Sequence, residues 1–206
     1  MPVELPALFY AIPRNPAVAV GLPLAFGMAS GLITKNSVNT WYPTLRKPAG
    51  EPPRWAFPTA WTFLYCSMGL ASHLIIKNYD GALHGSALKT TADLALKLYW
   101  GQFGLNMLWT PLFFGLHKMG LALADISLLT PTTYALTYQA YQVDPRTAFA
   151  LVPYCAWLSY ATYLNGAWFS LTVPFVDPFE RCDGLDLLIS ALPRRGIAAR
   201  HEELDD

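Results

Sequence analysis

The chain has 206 residues, of which 53% are hydrophobic and only 14% are charged, whereas soluble domains contain about 25% charged residues. Its formal net charge is zero, which argues against a surface that binds nucleic acid electrostatically. Low charge combined with high apolar content favours a membrane protein.

Neither the cysteines nor the histidines form a recognisable site. The three cysteines, at positions 66, 155 and 182, contain no CxxC pair and indicate free thiols in a reducing environment. The four histidines lack HExxH or HxxxH spacing, so no protein-bound metal is expected.

Long stretches without charge divide the chain. A membrane-crossing helix needs about 20 mostly apolar residues, and five stretches reach that length, one of them with a single charge at Asp125. The sequence therefore predicts an all-α, polytopic membrane protein, a bundle of five transmembrane helices. The predicted spans are about 16–35, 56–77, 96–117, 119–142 and 147–171, within a transmembrane domain of residues 1–176. A soluble bundle is the alternative, but its helices would carry charge along one face.

The loop between the first two spans, predicted over 36–55, reads WYPTLRKPAGEPPRW at 41–55. Its prolines are incompatible with a helix interior, so a stiff, basic, aromatic connector is expected. Nine Lys and Arg residues fall on the side of this loop and of the polar C-terminal tail, 177–206, against five on the other side. Because positive charge accumulates in cytoplasmic loops, the loop and the C-terminus are predicted to be cytosolic.

Small residues recur every four positions in the first span, at Gly21, Ala25 and Ala29 and again at Gly27 and Gly31. Residues of this size let helix backbones approach closely in lipid. The pattern therefore indicates helix packing rather than catalysis.

Aromatic and amide side chains share single faces of three later spans, because residues three or four apart lie on one side of a helix. They are Trp61 and Tyr65; Gln102, Asn106 and Trp109; and Trp157, Ala161, Leu164 and Asn165. Polar amides at membrane depth normally point into a bundle, where aromatic neighbours would line a cavity for a flat, apolar ligand. Interhelical hydrogen bonds together with interfacial aromatic belts explain the same pattern equally well.

Asp125 is the single acid inside a predicted span. An acid in the first turns of a helix is favoured by the helix dipole, and this is the structural interpretation. A proton relay or a ligand contact is the functional one. No nucleophile–base pair, phosphate-binding loop or dinucleotide motif is visible, so no enzyme is expected.

Four segments carry a resemblance to one family. They are WYPTLRKPAGEPPRWAFPTAWTFLY (41–65), GQFGLNMLWTPLFFG (101–115), ALADI (122–126) and PYCAWLSYATYLN (153–165). In order and spacing, from about residue 16 to 168, they resemble the tryptophan-rich sensory protein/translocator protein family (TspO/MBR, the peripheral benzodiazepine receptors). The resemblance implies a homodimeric five-helix bundle whose first loop closes over a cavity for tetrapyrroles, such as protoporphyrin and haem, and for sterols such as cholesterol. The porphyrin or haem would be a ligand rather than a cofactor.

Carried over by position, the resemblance implies ten ligand-binding residues. They are Tyr42, Trp61, Tyr65, Asn106, Trp109, Ala124, Leu128, Trp157, Ala161 and Leu164. Trp61 and Trp157 are expected to face each other across the ligand.

The chain departs from the family pattern at several positions. Gly50 stands where the loop usually has a second tryptophan, and Met107 replaces an aromatic of the third helix. Gly166, Ala167 and Ser170 stand where animal members carry the tyrosines and arginine of a cholesterol consensus, a weak pattern in itself. Weak cholesterol binding is therefore expected.

The resemblance implies a role in ligand transport, sensing or buffering. Light- and oxygen-dependent porphyrin degradation and a membrane scaffold remain as alternatives. A eukaryotic source would imply the mitochondrial outer membrane, and a bacterial source the cell envelope.

Overall fold

The structure, a computed structural model, describes residues 4–172. The predicted polar tail 177–206, the predicted domain end at 176 and Cys182 lie outside the described residues. Within residues 4–172 there are six α-helices and no strand. They are α1 (Ala7–Arg14), α2 (Pro16–Thr40), α3 (Ala56–Gly81), α4 (Ala87–Thr110), α5 (Met119–Val143) and α6 (Pro145–Thr172).

The predicted helix number of five is wrong, because α1 precedes the first charge-free stretch. Asn15 separates α1 from α2 with an extended backbone, as expected for a residue that precedes proline. Its side-chain oxygen also accepts a hydrogen bond from the Ala17 amide at 3.0 Å and so caps α2. With eight residues, α1 is far too short to cross a bilayer.

Several polar contacts attach α1 to α3 and α4. The Arg14 guanidinium donates to both carboxylate oxygens of Asp80, at 2.8 and 2.9 Å. The indole N–H of Trp100 donates to the Phe9 carbonyl oxygen at 2.9 Å, and the Tyr10 hydroxyl donates to Asp93. α1 is thus held against the end of the bundle where α3 finishes and α4 begins.

The five long helices agree with the predicted spans except at their ends. α2 continues to Thr40, five residues past the predicted end, so the loop covers 41–55 rather than 36–55. Lys35 ends the apolar stretch without ending the helix, because the Asn39 and Thr40 side chains donate to carbonyls one turn back. α4 begins at Ala87, well before the predicted residue 96, because the Ser86 side chain caps it.

Among the described residues, only α2 and α3 meet a test of span length and mean hydropathy. α4, α5 and α6 are equally long but rich in tyrosine, threonine and tryptophan, which lowers their mean hydropathy. Their sequences are therefore poor in charge without being strongly apolar.

Short connections make α3, α4, α5 and α6 antiparallel neighbours. α4 ends in a π-helical turn, Pro111–Gly115, closed by the Leu116 amide donating to the Pro111 carbonyl at 2.8 Å. α3 and α4 contribute Met68, Ile75 and Leu96 to the fully buried core, which α5 and α6 complete.

The backbones of α2 and α3 come closest near the start of α2. A Cβ added to Gly69 would lie 2.5 Å from the Ala19 carbonyl oxygen, so the two backbones touch there. Of the residues of α2, only Ala19 and Pro23 are buried, and both lie in its first third. Beyond Pro23, α2 touches the rest of the bundle at fewer points, such as Gly27 against Tyr65 and Ser37 against the Phe114 carbonyl, and leaves space beside it.

Candidate functional site

That space is a cavity of about 490 Å³ between α2, α3, α4, α5 and α6, at the end of the bundle where the 41–55 loop lies. Pockets for small ligands commonly occupy about 300–1,000 Å³. Its walls are mainly aromatic and aliphatic side chains, with a few amides and hydroxyls.

The structure brings eight of the ten sequence-predicted positions around this cavity. They are Tyr42, Trp61, Tyr65, Asn106, Trp109, Trp157, Ala161 and Leu164. The remaining two, Ala124 and Leu128 of α5, are exposed on the outer side of the helix, and Leu128 is 61% exposed. Ile126 and Leu129 line the cavity in their place, because positions only one or two residues away point to a different side of a helix.

The aromatic wall is formed by α3 and α6. The ring of Trp61 lies 5.3 Å from that of Tyr65 and 6.4 Å from that of Trp157, the latter at an interplanar angle of 81°. This edge-to-face arrangement is typical of attractive aromatic pairs. The expectation that Trp61 and Trp157 face each other across the ligand is therefore wrong, because the two indoles touch and belong to one wall.

A chain of hydrogen bonds leads from the cavity into the core. The Tyr65 hydroxyl donates to Asn106 Oδ1 at 3.1 Å, and Asn106 Nδ2 donates to the Tyr154 hydroxyl at 2.9 Å. That hydroxyl in turn donates to Gln102 Oε1 at 3.0 Å. All four side chains are buried, so the amides of α4 serve as interhelical hydrogen-bond partners, and Tyr65 and Asn106 also face the cavity.

One face of α2 also lines the cavity, which the sequence did not predict. Gly27, Ser30, Gly31, Thr34 and Lys35 all contribute to the wall. A Cβ added to Gly27 would lie 2.3 Å from Tyr65 Cε2, so this glycine makes room for the tyrosine ring. The Gly27–Gly31 pair was the available signal, but its spacing also fits a helix–helix contact.

The loop is closed by a polar cluster around Tyr42. Its hydroxyl donates to Glu51 Oε1 at 2.7 Å, and the Lys47 ammonium lies 3.0 Å from the same oxygen. Its ring is buried and packs edge-on against Trp168, at 5.5 Å between centroids. Burial, and then the hydrogen bond to Glu51, raise the pKa of Tyr42, so this hydroxyl stays a donor at physiological pH.

Two tyrosines of α6 hold the tip of the loop. Tyr160 donates to the Gly50 carbonyl oxygen, and Tyr163 donates to that of Ala49 at 3.3 Å. Gly50 has φ of 83°, a left-handed conformation that side chains other than glycine adopt with strain. The path of this turn therefore favours glycine at position 50.

Asp125 does not occupy the position that the helix-dipole interpretation requires. It is the seventh residue of α5, beyond the first turn, where the dipole effect has decayed. It is 6% exposed, and within residues 4–172 neither carboxylate oxygen has a hydrogen-bond partner. It adjoins the lining residue Ile126 without lining the cavity itself.

Cys66 and Cys155 are free thiols. Within the part of the chain that the structure describes, no group of His, Cys, Asp or Glu is arranged to hold a metal ion.

Comparison with known proteins confirms the family resemblance carried by the four sequence segments. The model of the TspO/MBR family matches residues 19–170, so α1 lies outside the matched region. The chain is 41% identical over 157 residues to a Translocator protein of Bos taurus, covering 75% of this chain and 89% of the relative. It is 38% identical over 158 residues to a Translocator protein homolog of Schizosaccharomyces pombe (77% and 92% covered). It is 39% identical over 125 residues to a Tryptophan-rich sensory protein of Cereibacter sphaeroides (61% and 72% covered).

Proposed function

The chain belongs to the TspO/MBR family, whose members are membrane proteins, and we propose that it binds a tetrapyrrole, such as protoporphyrin or haem, in the cavity beside α2. The observation that carries this proposal is the continuous aromatic wall of Phe57, Trp61 and Trp157. A flat conjugated ligand gains stacking energy on such a wall in addition to the burial of its apolar area.

The proposed setting is a bilayer crossed by α2 to α6. These helices have 24 to 28 residues, which at about 1.5 Å per residue exceeds the roughly 30 Å of a hydrocarbon core. The basic residues would then put the 41–55 loop and the C-terminus in the cytosol. A eukaryotic source would place the protein in the mitochondrial outer membrane.

The proposed role is to hold, carry or sense the ligand, with the loop as the element that opens to release it. Ordering a proline-rich loop costs little conformational entropy, and polar contacts to Glu51 and to α6 keep it closed. Sterols are proposed as weaker ligands because Gly166, Ala167 and Ser170 supply neither the aromatic nor the basic groups of the cholesterol consensus.

We propose a homodimer as the assembled form. Gly21, Ala25 and Ala29 of α2 are all exposed along one side of the helix, and such a stripe permits close contact with a second copy in lipid. Crosslinking in membranes should trap a dimer, and recovery of monomer alone would contradict this proposal.

The proposed ligand is tested by titrating protoporphyrin into the purified protein in detergent. Quenching of tryptophan fluorescence reports the binding. Trp157→Phe and Trp61→Phe each remove one indole contact worth on the order of 1 kcal/mol. Each should therefore weaken protoporphyrin binding several-fold, since about 1.4 kcal/mol corresponds to tenfold. Cholesterol should bind more weakly than protoporphyrin to the wild-type protein.

Trp41→Phe is the matched control. The Trp41 ring stacks on His117 at 4.1 Å between centroids and does not line the cavity, so its loss should change binding little. If Trp41→Phe alone weakens binding, the ligand belongs on the loop surface and the cavity proposal is wrong.

Light-dependent porphyrin degradation is the second candidate, and the Trp61–Trp157 contact beside the cavity favours it, because an excited porphyrin would lie close to both indoles. We propose binding without turnover. Under illumination, protoporphyrin bound to the protein should lose absorbance no faster than free protoporphyrin does. Faster bleaching that Trp61→Phe and Trp157→Phe abolish would favour the enzymatic alternative.

A further inference from the structure

The charged side chains that line the cavity all have one sign. Lys35 from α2 and Arg54 from the end of the loop contribute to the lining, and no aspartate or glutamate does so among the described residues. All other lining side chains are neutral. A cavity with apolar walls thus carries two formal positive charges.

Both cations belong to the exposed part of the cavity lining, which we call the mouth. Lys35 and Arg54 are exposed, whereas Tyr65 and Asn106 deeper in the wall are buried. Lys35 belongs to α2 and Arg54 to the end of the loop, so two separate segments supply the charges.

Within residues 4–172, neither cation is engaged in a salt bridge. Arg14, Lys47 and Lys97, by contrast, pair with Asp80, Glu51 and Asp93. Glu51, the acid of the loop, is already occupied by Tyr42 and Lys47. The side chains of Lys35 and Arg54 are therefore available to pair with an anionic group of a ligand.

We propose that Lys35 and Arg54 determine ligand specificity by binding the carboxylates of an acidic, flat, apolar ligand. This inference rests on the proposed function, because it assumes that the ligand's ring occupies the cavity. With the ring against the aromatic wall, carboxylates on one edge would reach the mouth. There the Arg54 guanidinium can form a bidentate contact and the Lys35 ammonium a point-charge contact. A neutral ligand of similar shape, such as a sterol, has no group that uses these charges.

The experiment compares protoporphyrin IX with its dimethyl ester, which has the same ring and no negative charge. Binding is measured in phosphatidylcholine nanodiscs, so that no anionic lipid competes for the cations. An exposed ion pair contributes roughly 0.2–1 kcal/mol, which corresponds to up to about fivefold in affinity. The acid should therefore bind wild type more tightly than the ester, and added salt should reduce this preference.

The variants are Lys35→Gln, Arg54→Gln and the double substitution. Each single change should weaken binding of the acid by about two- to fivefold, and the double change should bring it close to that of the ester. Ester binding and the melting temperature should stay at wild-type values.

Lys77→Gln combined with Arg146→Gln is the matched control. Both residues are exposed and lie at the other end of the bundle, one near the end of α3 and the other at the start of α6. This pair changes net charge equally and should leave the preference for the acid unchanged.

The possible failures are distinguishable. Equal binding of acid and ester by wild type would overturn the role of Lys35 and Arg54 and leave the cavity proposal standing. An equal loss of acid preference in the control pair would assign the effect to net charge and also overturn it. Binding of neither compound would refute the proposed function itself.

Discussion

Replacing Gly27 with alanine should destabilise the protein, although alanine is the better helix former. The new methyl group would lie 2.3 Å from Cε2 and 2.6 Å from Cδ2 of Tyr65, far inside van der Waals contact. The ring cannot move without straining its hydrogen bond to Asn106. Overpacking of this kind costs about 1–3 kcal/mol, against a gain of about 1 kcal/mol from helix propensity.

Gly31→Ala on the same helix is the control. Nothing lies within 4 Å of a Cβ at Gly31, so this change should be neutral or stabilising by up to about 1 kcal/mol. The assay is thermal unfolding in detergent, monitored by circular dichroism. A difference of 1–3 kcal/mol should separate the two melting temperatures by roughly 2–12 °C for a chain of this size.

A double substitution tests the cause. In a Tyr65→Leu background the ring is absent, so adding Gly27→Ala should cost little or nothing, and the coupling energy should be about 1–3 kcal/mol. If Gly27→Ala melts as high as Gly31→Ala, or if its cost persists without the ring, the inferred contact between Gly27 and Tyr65 does not exist in solution.

Three further predictions concern polar contacts. Asn106→Leu should leave two buried tyrosine hydroxyls each short of a partner and destabilise the protein by about 1–3 kcal/mol in thermal unfolding, whereas Asn36→Leu, on the exposed side of α2, should not. Glu51→Gln removes the charge that Lys47 contacts and should increase limited proteolysis within the loop; unchanged cleavage would contradict its closing role. The hydrogen bond from Arg14 lowers the pKa of Asp80, so its contribution is present at neutral pH and disappears as pH falls below the ordinary aspartate range. Hydrogen exchange of α1 should therefore accelerate in acid relative to neutral pH, after correction for the intrinsic rate, and Asp80→Asn should remove that acceleration.

Charge spacing located the five long helices because burying a charge in lipid is costly, so charges collect at the ends of spans. The same reasoning misjudged helix ends, since hydrogen bonds rather than apolarity decide where a helix stops. α2 runs past Lys35 to Thr40 for this reason. α1 was missed altogether because its eight residues are stabilised by Arg14–Asp80 and Trp100–Phe9, contacts between residues more than 60 positions apart.

The cavity residues on α3, α4 and α6 were predictable because tryptophan, tyrosine and asparagine at helical spacing share a face. Residue type was a poor guide on α5, where the lining side chains Ile126 and Leu129 resemble any other aliphatic of the helix. The resemblance placed the site at Ala124 and Leu128 instead, on the exposed side. Rotation of a helix about its own axis depends on its neighbours, which periodicity alone does not identify.

The sequence by itself determined the helical class, the order of the long helices and the aromatic character of the site, because these depend on local composition and period. Tertiary structure alone decided that Trp61 and Trp157 share one wall, that Gly27 makes room for Tyr65, and that Lys35 and Arg54 line one cavity. Each of these depends on distances between separate segments of the chain. Such distances follow from how the helices pack against one another, and no property of a single segment specifies them.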